Sequence, residues 1–401
     1  MRPTWIVLGL VVGLGTVAYV KLREHTGAAP LARTAEQGGA PVGNGNGSDD
    51  LAGGAAGAKA GDAAGKAPAA TPPLAAPAAG VPEASAEEVR AAALRTQIRA
   101  KREANDPAGA TALEKQLDQE LGDTDEAKRQ ALERGWALAR VALPSEKPLE
   151  TRLPAAERGR RELSRGLFLR EMFDAQGQPT DERRKLVQAI ATLNTVVLTA
   201  KPSVEGVTRP YAVQAGDSPI RIVSRQKLPY GPNALLFWNY GGTLDAARLR
   251  AGDVLLLPVE TLELRVNLSH HLLGLYLGGV LVKEFGVGTG KAATPTHAGI
   301  YEIRDKYLNP DWHVPANLVS TVGAAVIPYG DKRNELGDAW IPISSPEHPT
   351  GFGIHGTIKP ETVGTDCSNG CVRLRNPEAV ELTQWVRTSK GEGQATRVVV
   401  H

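Results

Sequence analysis

A chain of 401 residues exceeds the usual span of one domain, so two or more domains are expected. A formal net charge of +2 gives no strong pull toward nucleic acid, and none is expected as a partner. Two cysteines four positions apart, Cys367 and Cys371, exclude a disulfide framework.

In chain order, residues 1–25 come first, and within them Trp5 to Val20 is an apolar run with Thr16 its sole polar member. A spanning helix needs ~20 residues, and Thr4 with a snorkelling Lys21 extends the run toward that length. No small-residue cleavage site follows at once, which favours an uncleaved membrane anchor over a signal segment. Arg2 precedes the run, while Lys21 and Arg23 follow it. On charge alone this weakly favours an outside amino terminus.

Residues 26–82 are rich in Ala, Gly and Pro, and no aromatic stands between Tyr19 and Trp136. Such a stretch cannot bury enough apolar surface to offset its ordering entropy, and is read as a disordered linker. As a coil it would span roughly 40 Å.

Residues 83–200 change to Ala, Glu, Arg, Lys and Leu, which are good helix formers. Leu113, Leu117 and Leu121 recur every four positions, and Leu186, Ile190, Leu193 and Val197 form an amphipathic stripe. Breaks at Asp106-Pro107, Gly122-Asp123, Leu143-Pro144 and Gly177-Gln178-Pro179 predict four or five helices packed as antiparallel hairpins. Asp123-Thr124-Asp125 and Thr180-Asp181 are candidate N-caps. No clear tetratricopeptide-like repeat signature is present. The charged faces read as solvated surface or, alternatively, as a groove for a protein partner.

Residues 207–260 open with Tyr211-Ala212-Val213-Gln214-Ala215-Gly216-Asp217-Ser218 and close with Ala251-Gly252-Asp253-Val254-Leu255 and Leu257-Pro258. The alternation predicts a strand, Gly216-Asp217 a turn and helix cap, then two helices and a strand at 254–257. This βααβ pattern resembles a LysM domain, which implies binding of N-acetylglucosamine-containing glycan. The loops after Gly216-Asp217 and near Asn239 are the candidate contacts. Pro219 departs from that family's usual helix start, although proline suits a first turn. A structural spacer without sugar affinity is the alternative.

Residues 261–401 are dominated by strand signals. Leu262, Leu264, Val266 and Leu268 alternate with polar residues, and Leu272–Leu277 and Val280–Phe285 flank the hairpin signal Gly278-Gly279. The run Gly286-Val287-Gly288-Thr289-Gly290-Lys291 is not a phosphate loop. Phe285 stands where its first glycine is needed, and Ala292 replaces the Ser/Thr that would meet magnesium. His270 and His271 are adjacent and predicted to face opposite ways. His297, His313 and His348 fall in Pro-rich loops, as surface or gating residues. Trp312 and Trp340 are read as packing residues or as cleft lining. A zinc site made of the two cysteines and His355 lacks paired Cys-x2-Cys spacing.

The chemistry gathers near the end. His355 sits in the turn Gly353-Ile354-His355-Gly356-Thr357, and Cys371 follows in Asp366-Cys367-Ser368-Asn369-Gly370-Cys371-Val372-Arg373-Leu374. A cysteine attacks as thiolate, and a nearby imidazole can take its proton. Asn369-Gly370 predicts a tight turn whose N–H groups can face a developing oxyanion. Arg373, two residues on in an extended segment, shares a side with Cys371 and can grip a carboxylate. Spacing alone leaves Cys371 a candidate, because an unpaired cysteine is more often a small buried hydrophobe.

His355-Gly356-Thr357 followed by Ser368-Asn369-Gly370-Cys371-Val372-Arg373-Leu374 resembles the signature of the YkuD-type L,D-transpeptidase catalytic domain. The resemblance extends through Gly286–Lys291, Thr294-Pro295-Thr296, Gly299–Ile303, Asn309–Trp312, Asn334–Gly337 and Trp340-Ile341, about a third of the chain in all. It implies a mostly-β catalytic domain, a cysteine thioester and exchange of peptide bonds on peptidoglycan stems, with no metal or organic cofactor. It further implies Cys371 as nucleophile, His355 as base and the Gly356 backbone carbonyl as its orienting group. It also leads to the expectation that the Gly370 backbone lies in the oxyanion hole and that Arg373, Ser368 and Asn369 contact substrate. The acceptor stays open between a stem amine, a protein lysine and water, the last giving an L,D-carboxypeptidase. A non-catalytic wall-binding scaffold and a cytosolic cysteine hydrolase are the rival classes. With the resemblance, the N-terminal run is expected to anchor an extracytoplasmic or periplasmic protein at the membrane.

The expected fold is thus multidomain: α-helical hairpins, a small βααβ module and a mostly-β catalytic domain.

Overall fold

A computed structural model describes residues 84–401 apart from residues 105, 123, 202, 241–245, 349 and 391–393. The expected anchor and linker lie outside the described residues. Among the described residues no helix is long and apolar enough to cross a membrane.

Five helices come first: α1 (Ala86–Glu103), α2 (Pro107–Leu121), α3 (Asp125–Ala142), α4 (Leu149–Arg165) and α5 (Asp181–Leu198). Their starts follow from local chemistry. Asp106 accepts the Gly109 N–H ahead of Pro107, Thr124 accepts that of Ala127, and Thr180 that of Arg183. α1 packs on α2, and α3 on α4, as hairpins. At the second crossing Gly135 and Gly159 keep the helices close: a Cβ at Gly135 would stand 2.8 Å from the Leu163 side chain. The predicted stripe of α5, Leu186, Ile190, Leu193 and Val197, is buried.

The charged faces differ from their expectation as solvated surface. Arg160, Glu162, Arg183 and Glu284 are all buried. Arg183 makes a two-pronged pair with Glu284 at 2.8 and 2.6 Å. Arg160 and Arg161 share Glu260. Burial of such charge is tolerated because each is paired.

The next unit is β1 (Thr208–Ala212), α6 (Pro219–Arg225), α7 (Pro232–Asn239) and β2 (Val254–Pro258), with β1 and β2 antiparallel. The predicted βααβ order is present. Ser218, not Asp217, caps α6 by accepting the Arg221 N–H, since Pro219 takes the first helical position. The Asp217 carboxylate accepts from the Gln214 N–H and the Tyr211 hydroxyl instead.

The C-terminal part runs β3 (Leu262–Asn267), β4 (Leu272–Leu277), β5 (Val280–Gly286), β6 (Thr289–Gly290), β7 (Gly299–Ile303), β8 (Tyr307–Leu308), β9 (Trp312–His313), α8 (Val319–Val322), β10 (Val326–Ile327), β11 (Ala339–Ser344), β12 (Phe352–His355), β13 (Asp366–Ser368), β14 (Val372–Arg373), α9 (Asn376–Trp385) and β15 (Arg397–Val400). The β4–β5 hairpin turns on Gly278 and Gly279, both at positive φ, as a two-residue hairpin requires. The main sheet has the order β14-β12-β11-β7-β15-β3-β4-β5, with β8 beside β11. β14–β12 and β15–β3 are parallel and the other pairs antiparallel. Beyond β5, Gly288 bridges Arg373 of β14, so the two ends of the sheet curl toward each other.

Two joints fix the helices to this sheet. α5 covers edge strand β5, where the Asn194 side-chain amide donates to the Leu281 carbonyl at 2.8 Å. That satisfies an otherwise open strand edge. α7 meets α9, where the Gly231 N–H donates to the Trp385 carbonyl at 2.7 Å and the Trp238 and Trp385 rings meet edge-on at 6.0 Å.

Candidate active site

Strand register assembles the site. In β12 and β14, Ile354 faces Val372 and His355 faces Arg373. Directly paired residues share a sheet face and successive residues alternate. Ile354 and Val372 therefore point together into the core, where both are buried. His355, Arg373 and, one step before β14, Cys371 share the other face. Antiparallel pairing of β11 places Trp340 beside His355 on that same face, with ring centroids 5.8 Å apart.

His355 is buried, and its Nδ1 lies 2.6 Å from the Gly356 carbonyl oxygen. A carbonyl can only accept, so Nδ1 carries the proton and Nε2 keeps a lone pair. Burial, helped by the positive Arg373, pulls the imidazole down to about 4; the Gly356 carbonyl and Glu335 oppose this. The ring is a neutral acceptor throughout the neutral range.

Cys371 is half-buried, and its thiol points to the Gly351 carbonyl at 3.9 Å. Burial pushes the thiol up to about 11, against the opposing pull of the Gly353 backbone and of Arg373. The resting pair is therefore neutral thiol and neutral imidazole.

The turn before Cys371 is tightly held. Gly370 has φ +116°, a conformation that favours glycine. Ser368 is buried, and its hydroxyl donates to the Cys371 carbonyl at 2.6 Å while accepting the Gly370 N–H at 3.0 Å. The Gly370 N–H, expected as an oxyanion donor, is bound to the Ser368 hydroxyl. Asn369 is exposed at the tip. The glycine-rich segment cradles this turn. Thr296 donates to the Gly370 carbonyl at 2.8 Å, and the Lys291 N–H donates to the Ser368 carbonyl at 3.1 Å.

Arg373 is buried and paired with Glu335, which also meets Lys359 at 3.2 Å. Its Nε has no partner among the described residues. Cys367 is half-buried beside Gly288.

The histidines divide. His270 stacks on Phe173 at 3.5 Å, in contact with the helical part, and His271 pairs with Asp366 at 3.1 Å. His297 and His348 stack at 4.7 Å next to Phe352, which lies near the Gly370 turn, whereas His313 is exposed in β9. No group of three metal-ligating side chains occurs among the described residues.

Sequence reasoning missed Glu335 as the partner of Arg373, and Asn376 altogether. The Asn376 side-chain oxygen accepts the N–H groups of Thr357 at 2.9 Å and Asp338 at 3.2 Å. Its Asn-Pro dipeptide reads simply as a helix start.

Residues 262–400 match the family model of the YkuD L,D-transpeptidase catalytic domain. The match spans the strand-rich part of the chain, from β3 to β15. The chain is 29% identical over 159 residues to the protein named L,D-transpeptidase YkuD in Bacillus licheniformis, covering 38% of this chain and 79% of that protein. It is 33% identical over 129 residues to the protein named L,D-transpeptidase YqjB in Bacillus subtilis, covering 32% and 62%, so less than two thirds of that relative is spanned. Among solved structures, the catalytic domain of the E. faecium L,D-transpeptidase is similar at 23% identity, with TM-score 0.27, covering 35% of this chain and 98% of that one.

Proposed function

We propose that the chain is a cysteine-dependent L,D-transpeptidase acting on peptidoglycan stem peptides. The observation that supports it best is that β12, carrying His355, pairs with β14, which begins one residue after Cys371, within the matched region, with His355 Nδ1 tied to the Gly356 carbonyl. Cys371 Sγ attacks the carbonyl of the L-centre of the diamino acid in a tetrapeptide stem. His355 Nε2 takes the thiol proton and passes it to the departing amine of D-alanine, leaving a thioester. An acceptor amine then attacks the thioester. His355 removes a proton from that amine and returns one to the sulfur, restoring the thiol.

With the Gly370 N–H bound to Ser368, the oxyanion falls to the N–H of Cys371 at the same turn. Ser368 shapes the loop rather than reacting, and exposed Asn369 borders the incoming stem. Arg373 is proposed to meet a stem carboxylate that takes the place of Glu335.

The βααβ unit is proposed to bind the glycan strand as a LysM-type module, supported by its element order and its docking on α9. The N-terminal apolar run is proposed to hold the protein at the outer side of a membrane, where the stem peptides are cross-linked; this follows the resemblance and runs against the flanking charges, which favour the opposite orientation.

The test is product analysis by mass spectrometry after incubation with a disaccharide-tetrapeptide, with and without an amine acceptor. D-alanine release with a 3-3 linked product supports transpeptidation. Release without transfer makes the enzyme a carboxypeptidase. No release from folded protein leaves a wall-binding scaffold.

A further inference from the structure

We infer that Asn376 is a positioning residue that sets the tautomer of His355 through one peptide plane. The inference rests on the acyl-transfer reading for its consequence, though not for its geometry. The Gly356 carbonyl and the Thr357 N–H belong to the same amide. In a trans peptide these two groups point in opposite directions from one rigid plane. Asn376 Oδ1 accepts the Thr357 N–H at 2.9 Å, and the Gly356 oxygen meets His355 Nδ1 at 2.6 Å. Holding the N–H at one end aims the carbonyl at the other.

The preceding peptide is pinned as well. The His355 carbonyl accepts from the Leu374 N–H at 2.8 Å, and the Gly356 N–H donates to the Ala339 carbonyl at 3.1 Å. Only the 356–357 plane then remains to be fixed by a side chain, and Asn376 fixes it. Asn376 stands in the first turn of α9, yet its carbonyl serves two loops instead of the helix's own N–H groups. Glycine at 337 and 356 is what admits it, because a Cβ at either position would collide with its oxygen. Without that acceptor the plane is free to turn and offer His355 no carbonyl. A ring protonated at Nε2 could not take the Cys371 proton.

The experiment compares full-length wild type, N376A and N376D, each checked for folding by thermal melting. One readout is the 15N spectrum of the histidine rings, with His355 assigned by loss of its signals in His355→Gln. The other is the rate of Cys371 acylation by a carbapenem. Wild type and N376D should show the Nδ1–H tautomer, because a carboxylate oxygen supplies the same acceptor. N376A should show a mixed or Nε2–H ring and acylate about 100-fold more slowly, as for a misplaced catalytic group. N376D should stay within about tenfold of wild type. A folded N376A with the wild-type tautomer and rate would overturn the inference and leave the transpeptidase reading standing. Absence of any adduct on wild type would instead count against that reading, while the ring spectra would still decide the role of Asn376. Should N376A not fold, a folded N376D that lost the Nδ1–H tautomer would be equally fatal.

Discussion

At the scale of single residues, His355 carries the sharpest consequence of burial. Its imidazole is held at about 4, whereas an exposed one titrates near 6.5. Between those values the unfolded chain binds a proton that the native ring refuses, so stability is present above pH 6.5 and lost as pH falls toward 4. The loss is at most about 3 kcal/mol. Denaturant melts at pH 7 and pH 4.5 should show this slope for wild type and a shallower one for His355→Gln. Equal slopes would contradict it. Gly356→Ala introduces a Cβ onto the Asn376 oxygen and should slow acylation about 100-fold. Acylation rates measured beside a melting curve would separate this from unfolding. Cys371, His355 and Ser368 were visible as candidates because each lies in a short motif. Glu335 and Asn376 were not, because they meet Arg373 and Thr357 across 38 and 19 residues of chain.

At the scale of elements, local chemistry was legible and tertiary pairing was not. The caps at Thr124 and Thr180, the Gly278-Gly279 turn and the α5 stripe all depend on neighbours within a few residues. The two-residue strands β8, β9 and β10 carry no periodicity and left no signal. The faces read as solvated charge hide the Arg183–Glu284 pair, whose partners stand 101 residues apart. Arg183→Leu strands a buried carboxylate and should cost about 3–5 kcal/mol in chemical denaturation. Adding Glu284→Leu removes the orphaned charge and should recover much of that loss. A double variant no better than the single would show that packing, and not charge pairing, makes the joint.

At the scale of the whole molecule, the described helical, βααβ and sheet regions fall within one compact unit. α5 lies on β5 through Arg183 and Asn194, and α7 lies on α9 through Trp238 and Trp385. These joints predict cooperative unfolding. Far-ultraviolet ellipticity, which follows the helices, and tryptophan fluorescence of a Trp136→Phe variant, which reports Trp238, Trp385 and the other tryptophans outside the five N-terminal helices, should change with one midpoint. Two separated midpoints would mean that the helical region is an independent domain. The order of the helical, βααβ and strand-rich regions was legible from composition shifts along the chain. Their docking was not, because it depends on pairs far apart in sequence.

The central claim is that Cys371 is the acylated nucleophile. It is tested most directly by the intact mass of a soluble form lacking the N-terminal run, after incubation with a carbapenem. A one-equivalent adduct on wild type and on Cys367→Ala, absent from Cys371→Ala, is the predicted result. An adduct that persists in folded Cys371→Ala, or none on well-folded wild type, would contradict the account.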